Sequence, residues 1–414
     1  MNERLRLVLF AFFAVAVGFA SGCKVAPEES PRIKSMDASL DKAVSYLLAA
    51  QSPDGAWRSK TYGAMKDGPS LTPLVMEALE FGPQKEGSAE ACHKGAAYLA
   101  GLVKPDGSVE AGPYGLAYPL YTSAMSAIIL TKDASPEFKS ARDTWLKMLR
   151  SRQLTEELGW QPSDHEYGGW GFSIAPPAKP APGQPKEIFH ESNLSATIFA
   201  IGALRACGAP PTDEAFQKAL VFVKRCQNFG DEKAMSVFDD GGFFFIPIDE
   251  AQNKGGLAGR EPDGTLRFNS YGSMTADGIR ALVRLGMKPD SPRVKAAAEW
   301  LANNFSVEHN PGRFGGPDRE VLRDATYYYY CWSLAHALNA LNIDEIDTPS
   351  GKVRWAGVLA DALTKRQQAD GSWVNRMTDA KEDDPLISTA WAVAALSICR
   401  QRELASAPSR PNAK

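Results

Sequence analysis

The segment Gln51-Ser52-Pro53-Asp54-Gly55-Ala56-Trp57 returns near the other end of the chain as Gln368-Ala369-Asp370-Gly371-Ser372-Trp373. Each part has a physical use. Asp-Gly makes a tight turn, with glycine free to take a positive φ. Gln satisfies a free backbone group at a helix end. Trp offers a large apolar area that clamps neighbouring helices. Gln51, Trp57, Gln368 and Trp373 are therefore assigned to the scaffold, not to chemistry. Weaker copies stand at Pro105-Asp106-Gly107-Ser108, Gly169-Trp170-Gly171-Phe172, Asp240-Gly241-Gly242-Phe243 and Pro311-Gly312-Arg313-Phe314.

A second feature keeps step with the first. Helical segments open with a Thr and carry small or apolar residues six and seven places later: Thr72, Thr122, Thr197, Thr275 and Thr389, with Thr326 as a looser copy. These segments are apolar on most sides, as buried helices are. A different helix precedes each loop. Leu40, Val44, Leu47 and Leu48 follow the spacing of a one-faced helix, as do Phe138, Trp145, Leu146 and Leu149. The pattern predicts six outer–inner helix pairs. An open array of such repeats needs polar caps at both ends. Here the terminal repeats carry the best loops, so the expected fold is all-α: a closed (α/α)6 toroid over residues 37–400. Its ends are expected to meet between the helix at Leu40–Ala50 and that at Lys352–Gln367. No strand alternation stands out, and the tetrad Tyr327–Tyr330 is assigned to a helix by its place in the repeat.

The Gln-x-x-Asp-Gly-x-Trp loops followed by Thr-bearing inner helices resemble the repeats of squalene and hopene cyclases and of protein prenyltransferase β subunits. The resemblance implies an α/α toroid and allows terpenoid chemistry, but the family's active groups are missing. Triterpene cyclases carry an Asp-x-Asp-Asp-Thr acid motif, and Pro385-Leu-Ile-Ser388 stands before Thr389 instead. Asp383-Asp384 lies one helical turn early. The prenyltransferase zinc set is implied at Asp324, but Thr326 replaces its Cys and Ser388 its His, and zinc prefers thiolate and imidazole. No metal site or cofactor is expected.

Polar groups near the starts of the inner helices are the remaining candidates. Asp324, Asp384 and His190 are named as catalytic candidates, and Tyr327, Tyr328, Trp391, Trp170 and Asp277 as ligand-binding ones. For each acid the competing role is a helix cap or first-turn charge. Asp324 stands out for its neighbours Tyr327, Tyr328 and Tyr330, and is expected on the wall of an apolar chamber. Three long loops, 158–189, 238–268 and 306–324, interrupt the repeat, and the aromatic residues of the first two suit a rim for apolar or glycan ligands.

Bulk properties narrow the partners. The formal net charge is −3 and the five histidines are scattered. No basic face is available for nucleic acid. Arg4 and Arg6 precede an apolar run, Leu7–Ala20, and then Ser21-Gly22-Cys23. That is the pattern of an export signal, and the small residues before the cysteine resemble a bacterial lipobox, with Ala20 where Leu is usual. The resemblance implies cleavage after residue 22, lipidation of Cys23, a tether over 23–36 and a periplasm-facing, membrane-anchored protein; 401–414 is expected to be a disordered tail. Five further cysteines lie in apolar helical stretches and are read as small buried hydrophobes. Three functions remain open: an envelope toroid binding an apolar molecule or envelope protein, a terpenoid cyclase or prenyl transferase with an atypical acid, and a glycan-active (α/α)6 enzyme with paired carboxylates such as Asp324 and Asp384.

Overall fold

A computed structural model describes residues 30–185, 190–230, 236–315 and 317–406. Cys23, the leader before it and residues 407–414 lie outside the described residues. Outer and inner helices alternate: α1 (Pro31–Ala49) and α2 (Thr72–Phe81), α3 (Ser88–Gly101) and α4 (Pro119–Leu130), α5 (Pro136–Arg150) and α6 (Leu194–Ala206), α7 (Glu214–Arg225) and α8 (Gly272–Arg284). The fifth pair is α9 (Pro292–Asn303) and α11 (Tyr327–Ala340), separated by the short α10 (Pro317–Asp324). The last is α12 (Trp355–Arg366) and α13 (Pro385–Ala405). Each inner helix packs on the next, and α13 packs back on α2, so the ring is closed. At the seam α1 lies against α12 and α13. There Arg32 holds Asp361 with two bonds of 3.1 and 2.8 Å.

One joint is built four times. A glutamine after an outer helix donates from its amide to the glycine of its own loop and to a backbone carbonyl of the next outer helix around the ring. Gln51 reaches Gly55 O at 2.9 Å and Ala91 O at 2.8 Å. Gln153, Gln227 and Gln367 repeat this toward Ala215, Arg293 and Ser39. The glycine has no substitute: at Gly55 φ is +92°, and a Cβ would sit 2.4 Å from Lys94 O. The next aromatic residue then donates its backbone N–H to the inner-helix threonine: Trp57 to Thr72, Phe243 to Thr275 and Trp373 to Thr389, each at 3.0 Å, and Trp170 to Thr197 at 3.1 Å. Three of the tryptophans also donate Nε1–H to an outer-helix carbonyl, at Leu47, Leu149 and Leu363. Repeats two and five depart from this. A Cβ on Gly107 would meet nothing, and Thr326 instead accepts from Asn310 at 2.9 Å.

Several boundaries and roles differ from the sequence-based expectation. The glutamine that works in the last joint is Gln367, four residues before Gly371 as Gln51 is before Gly55; Gln368 only approaches Arg366 O at 3.5 Å. Thr122, Thr197, Thr275 and Thr389 sit one turn inside their helices, not at the start. The first helix begins at Pro31, within the expected tether, because Ser30 caps it and Pro suits the first turn. The last helix runs on to Ala405, past the boundary drawn at 400. Lys352, expected in the closing helix, lies in a hairpin of β5 and β6. Among the described residues three two-stranded antiparallel pairs decorate the loops: β1 (Trp170–Gly171) with β2 (Ser192–Asn193), β3 (Leu257–Arg260) with β4 (Leu266–Phe268), and β5 (Glu345–Thr348) with β6 (Gly351–Arg354). They are too short for alternation to register in sequence. None of the five described cysteines forms a disulfide.

The joint makes a direct prediction. Gln367→Ala leaves Ser39 O and Gly371 O without their donor and should cost about 1–3 kcal/mol of unfolding free energy. Gln368→Ala should stay within about 0.5 kcal/mol of wild type. Urea unfolding of the two variants checks this, and equal losses would refute the assignment of Gln367.

Candidate functional site

The inner helices point aromatic side chains at the ring axis. Helix phase selects which ones. In α11, Tyr327 and Tyr330 turn away from the axis and donate to Val307 O at 2.7 Å and Ser306 O at 2.9 Å. Tyr328 lies against the Tyr327 ring, 5.1 Å away, and is buried. Tyr329 faces inward and donates to Asp277 Oδ2 at 2.5 Å. Tyr327 and Tyr328 therefore do not serve the axis as expected, and Tyr329 takes that place. The helix advances about 100° per residue, so neighbours in the tetrad point in very different directions.

Asp277 is the polar centre. It is fully buried in α8 and also accepts from Ser333 Oγ at 2.5 Å and Arg280 Nη1 at 2.7 Å. Burial pushes its carboxyl up, and Arg280, Ser333 and Tyr329 pull it back. The chain continues outward: Tyr329 OH meets Ser195 Oγ at 2.8 Å, and Ser195 Oγ meets Tyr121 OH at 2.9 Å. With Tyr329 donating to Asp277, each hydroxyl in turn donates inward, and the Tyr121 oxygen is left as the open acceptor. Four inner helices, α4, α6, α8 and α11, are thus linked by one line of hydrogen bonds.

Around this line the rings touch one another. Phe199 on α6 stacks on Trp332 at 5.5 Å, Trp332 meets Trp391 at 4.5 Å, and Phe199 reaches Trp391 at 6.2 Å. Since α6 and α13 lie on opposite sides of the ring, these contacts cross the axis and fill it. At this level the expected apolar chamber is closed by an aromatic plug. Small residues on the inner helices, such as Ala196, Ala200, Gly202 and Ala203 of α6, let the helices approach closely enough for the rings to meet. Trp391 is part of the plug. Above it, Phe245, Phe172, Tyr121 and Phe199 form a file with centroid spacings of 6.0, 5.6 and 4.9 Å, leading from the loops to the axis.

The other candidates have structural posts. Asp384 is the N-cap of α13, accepting from Leu386 N at 2.9 Å and from the Ser59 hydroxyl. Asp383 accepts from Tyr62 OH at 2.5 Å. His190 lies in a satellite loop core beside Trp160, with Nε2 2.6 Å from Ala178 O. Trp170 is the buried tryptophan of the joint in the third repeat, with Nε1–H on Leu149 O. Asp324 ends α10 half-buried, away from the Asp277 line, and its carbonyl takes Asn375 Nδ2 at 2.7 Å. Its expected place on a chamber wall is not met, because α10 holds it in the loop before α11. Among the described residues no group of three or more His, Cys, Asp or Glu could hold a metal ion.

One acid has no counterpart among the sequence candidates. Glu382 is buried under the start of α11, where its carboxylate accepts from Tyr328 N at 3.0 Å, Tyr329 N at 2.8 Å and Asn375 Nδ2 at 2.9 Å. It sits in the loop before α13 yet caps α11, a cross-repeat contact that no local spacing reveals.

No protein-family model matches this chain, and no curated protein matches it in sequence. Solved structures do match. A type II terpene cyclase, MstE from Scytonema, in an alanine variant bound to its product merosterolic acid A, superposes with a TM-score of 0.54 at 14% identity, covering 90% of this chain and 99% of that one. A protein from Actinoplanes matches with TM-score 0.51 and 17% identity over 88% and 99% of the chains. A GH76A α-1,6-mannanase from Salegentibacter matches with TM-score 0.50 and 11% identity over 89% and 99%. The chain is a terpene-cyclase-like α/α toroid, a likeness of fold.

Glu382 gives the site a pH signature. Burial raises its carboxyl from 4.5 to about 7, against the pull of the backbone amides and Asn375. The folded protein thus keeps a proton there that the unfolded chain has released. Stability from this group is full below pH 4.5 and falls as pH rises toward about 7, a loss on the order of 1–3 kcal/mol. Unfolding free energies measured across that window should show a downward slope that is reduced in Glu382→Gln. An unchanged slope in the variant would remove Glu382 as its source.

Proposed function

We propose that the mouth of the ring binds an apolar, isoprenoid-like molecule, seated on the aromatic plug with the Tyr121–Ser195–Tyr329–Asp277 line as its polar edge. The observation that carries this is the file Phe245, Phe172, Tyr121 and Phe199. The first three of these rings, and Tyr329, are only partly buried although inner helices surround them. Apolar sites with a few convergent polar groups are the usual form of small-molecule sites. One structural neighbour supports this class: solved forms of MstE hold geranylgeranyl dihydroxybenzoate and merosterolic acid A. A proton-initiated cyclase is the second reading. In its favour, solved MstE variants replace an aspartate, an arginine and a tyrosine, the residue types that meet here at Asp277, Arg280 and Tyr329. Against it, both oxygens of Asp277 are occupied by donors, the arrangement of a carboxylate and not of an acid with a free proton to give. A glycan reading has less support. The inactive mannanase variant lacks two aspartates, while the adjacent pair here, Asp383 and Asp384, is spent on Tyr62, Ser59 and the α13 cap.

The proposal includes attachment to the cell envelope through a lipidated Cys23, which would bring the mouth near membrane-borne ligands. Cys23→Ser should then release the protein into the soluble exported fraction.

Binding is tested with geranylgeraniol in mild detergent, read by tryptophan fluorescence, since Trp332 and Trp391 form the floor. A saturable change is expected, weakened by about fivefold or more in Trp391→Ala as one aromatic contact is lost. The same mixtures, extracted and analysed by gas chromatography, reveal cyclised products if the second reading holds, and Asp277→Asn should abolish them. No saturable change and no product would sink both readings.

A further inference from the structure

Below the plug, the inner helices hold a second polar group that faces away from the mouth. Arg280 and Arg284 lie one turn apart on α8, and Trp332 and His336 one turn apart on α11. Glu77 and Phe81 face them from α2. The guanidinium of Arg280 lies 4.0 Å from the Trp332 ring centroid. Trp332 meets His336 at 5.0 Å, and His336 meets Phe81 edge-on at 5.4 Å.

Among the described residues, this end of the ring has more donors than acceptors. Arg280 uses Nη1 on Asp277 and Ser333, but its buried Nε has no partner there. Nor do the buried Trp332 Nε1 and His336 Nε2. Arg284 makes one long bond, from Nη1 to Ile198 O at 3.4 Å. Gly202 leaves room for it, since a Cβ there would lie 2.8 Å from that nitrogen. Arg205 holds the Arg284 carbonyl at 2.7 Å and so fixes the base of its side chain. Lys132 is nearby but is paired with Glu80. The acid facing the group is Glu77, which makes no bond or ion pair among the described residues; its carboxyl is pushed up by burial, with Arg280, Arg284 and Lys132 opposing. Burial and the two arginines push His336 down, so it presents a neutral ring.

Buried donors in native proteins are matched by acceptors. We infer that this end of the ring is a binding site for an oxyanion, a phosphate or carboxylate group, held by Arg284 and Arg280 with Trp332 and His336 as further donors. Guanidinium forks suit such anions because they offer parallel N–H groups to two oxygens. The inner helices end here, and helix C-termini disfavour anions. The site therefore depends on the arginines and not on the helix dipoles. Arg284 and His336 are half-buried, which leaves access from this face. The inference does not rest on the apolar-ligand proposal, which concerns the opposite mouth.

Titration calorimetry of the full chain with inorganic phosphate and, separately, with acetate, at constant ionic strength in chloride, tests it. Saturable binding of at least one is expected at millimolar concentrations or below, and the tighter of the two names the group. Arg284→Gln should weaken it at least about tenfold. Glu77→Gln should tighten it by removing the opposing charge. Should Arg284→Gln fail to fold, His336→Phe keeps the aromatic packing and should weaken binding several-fold. If Glu77 merely balances Arg284 across the ring, Glu77→Gln would lower stability without tightening any anion. That result, no saturable binding of either anion, or binding indifferent to both Arg284→Gln and His336→Phe, would overturn the site.

Discussion

The threonine hydroxyl buried in each joint is the contact on which the ring depends. It accepts a loop amide in all four and, in three of them, donates to the carbonyl four residues back: Thr72 to Gly68 and Thr197 to Asn193 at 2.8 Å, and Thr275 to Tyr271 at 3.0 Å. Both halves of a buried hydroxyl are thereby satisfied, and the loop is fixed to the inner helix. The tryptophan that carries the amide reaches back to the outer helix, and the glutamine reaches forward to the next repeat. Three elements are registered by a handful of side chains gathered at one end of each joint. Removing any partner leaves a buried polar group alone, which is more costly than the net worth of the bond. The same close fit explains the glycine. It lies against the backbone of the following outer helix, where no side chain fits.

Because those contacts are local in sequence and repeated, the architecture is legible in the order of residues alone. The spacing of Gln, Asp-Gly and Trp, followed by Thr, is itself the joint. The misplacement at Gln368 has the same origin. Two adjacent glutamines fit the pattern, and only the four-residue reach from Gln51 to Gly55, repeated at Gln367 and Gly371, separates them. The strand pairs leave no trace because strands of two to four residues carry no period. Four repeats look weak in sequence, but the third and fourth carry the whole joint through Gln153 and Gln227; the loops of two and five lack it.

The interior is far less legible. Asp277 can be named because an acid within an apolar helix is conspicuous. Tyr329 cannot be separated from Tyr327, Tyr328 and Tyr330, since four identical side chains carry no phase of their own. Asp384 resembles a functional acid and proves to be a cap, the role its place before Pro385 would suggest. Glu382, two residues earlier, does its work on a helix some fifty positions away, and Arg284 meets its neighbours across the ring. Contacts of that kind follow from ring closure, and closure is a property of the whole chain.

Closure also bears on how the molecule comes to exist. The bonds between Arg32 and Asp361 join positions separated by 329 residues, and α13 must seat between α2 and α11 before the circle is complete. A chain emerging from the N-terminus is until then an arc with two unpaired apolar edges. Such long-range contacts make for slow assembly, and exposed edges of this kind invite association with other unfinished chains. The first and last helices are natural partners that meet only at the end of synthesis. A nascent copy held by a chaperone is thus protected at the stage when its inner faces are uncovered. Joining the present ends and opening the ring at a surface loop would alter the order of assembly while leaving the finished circle the same.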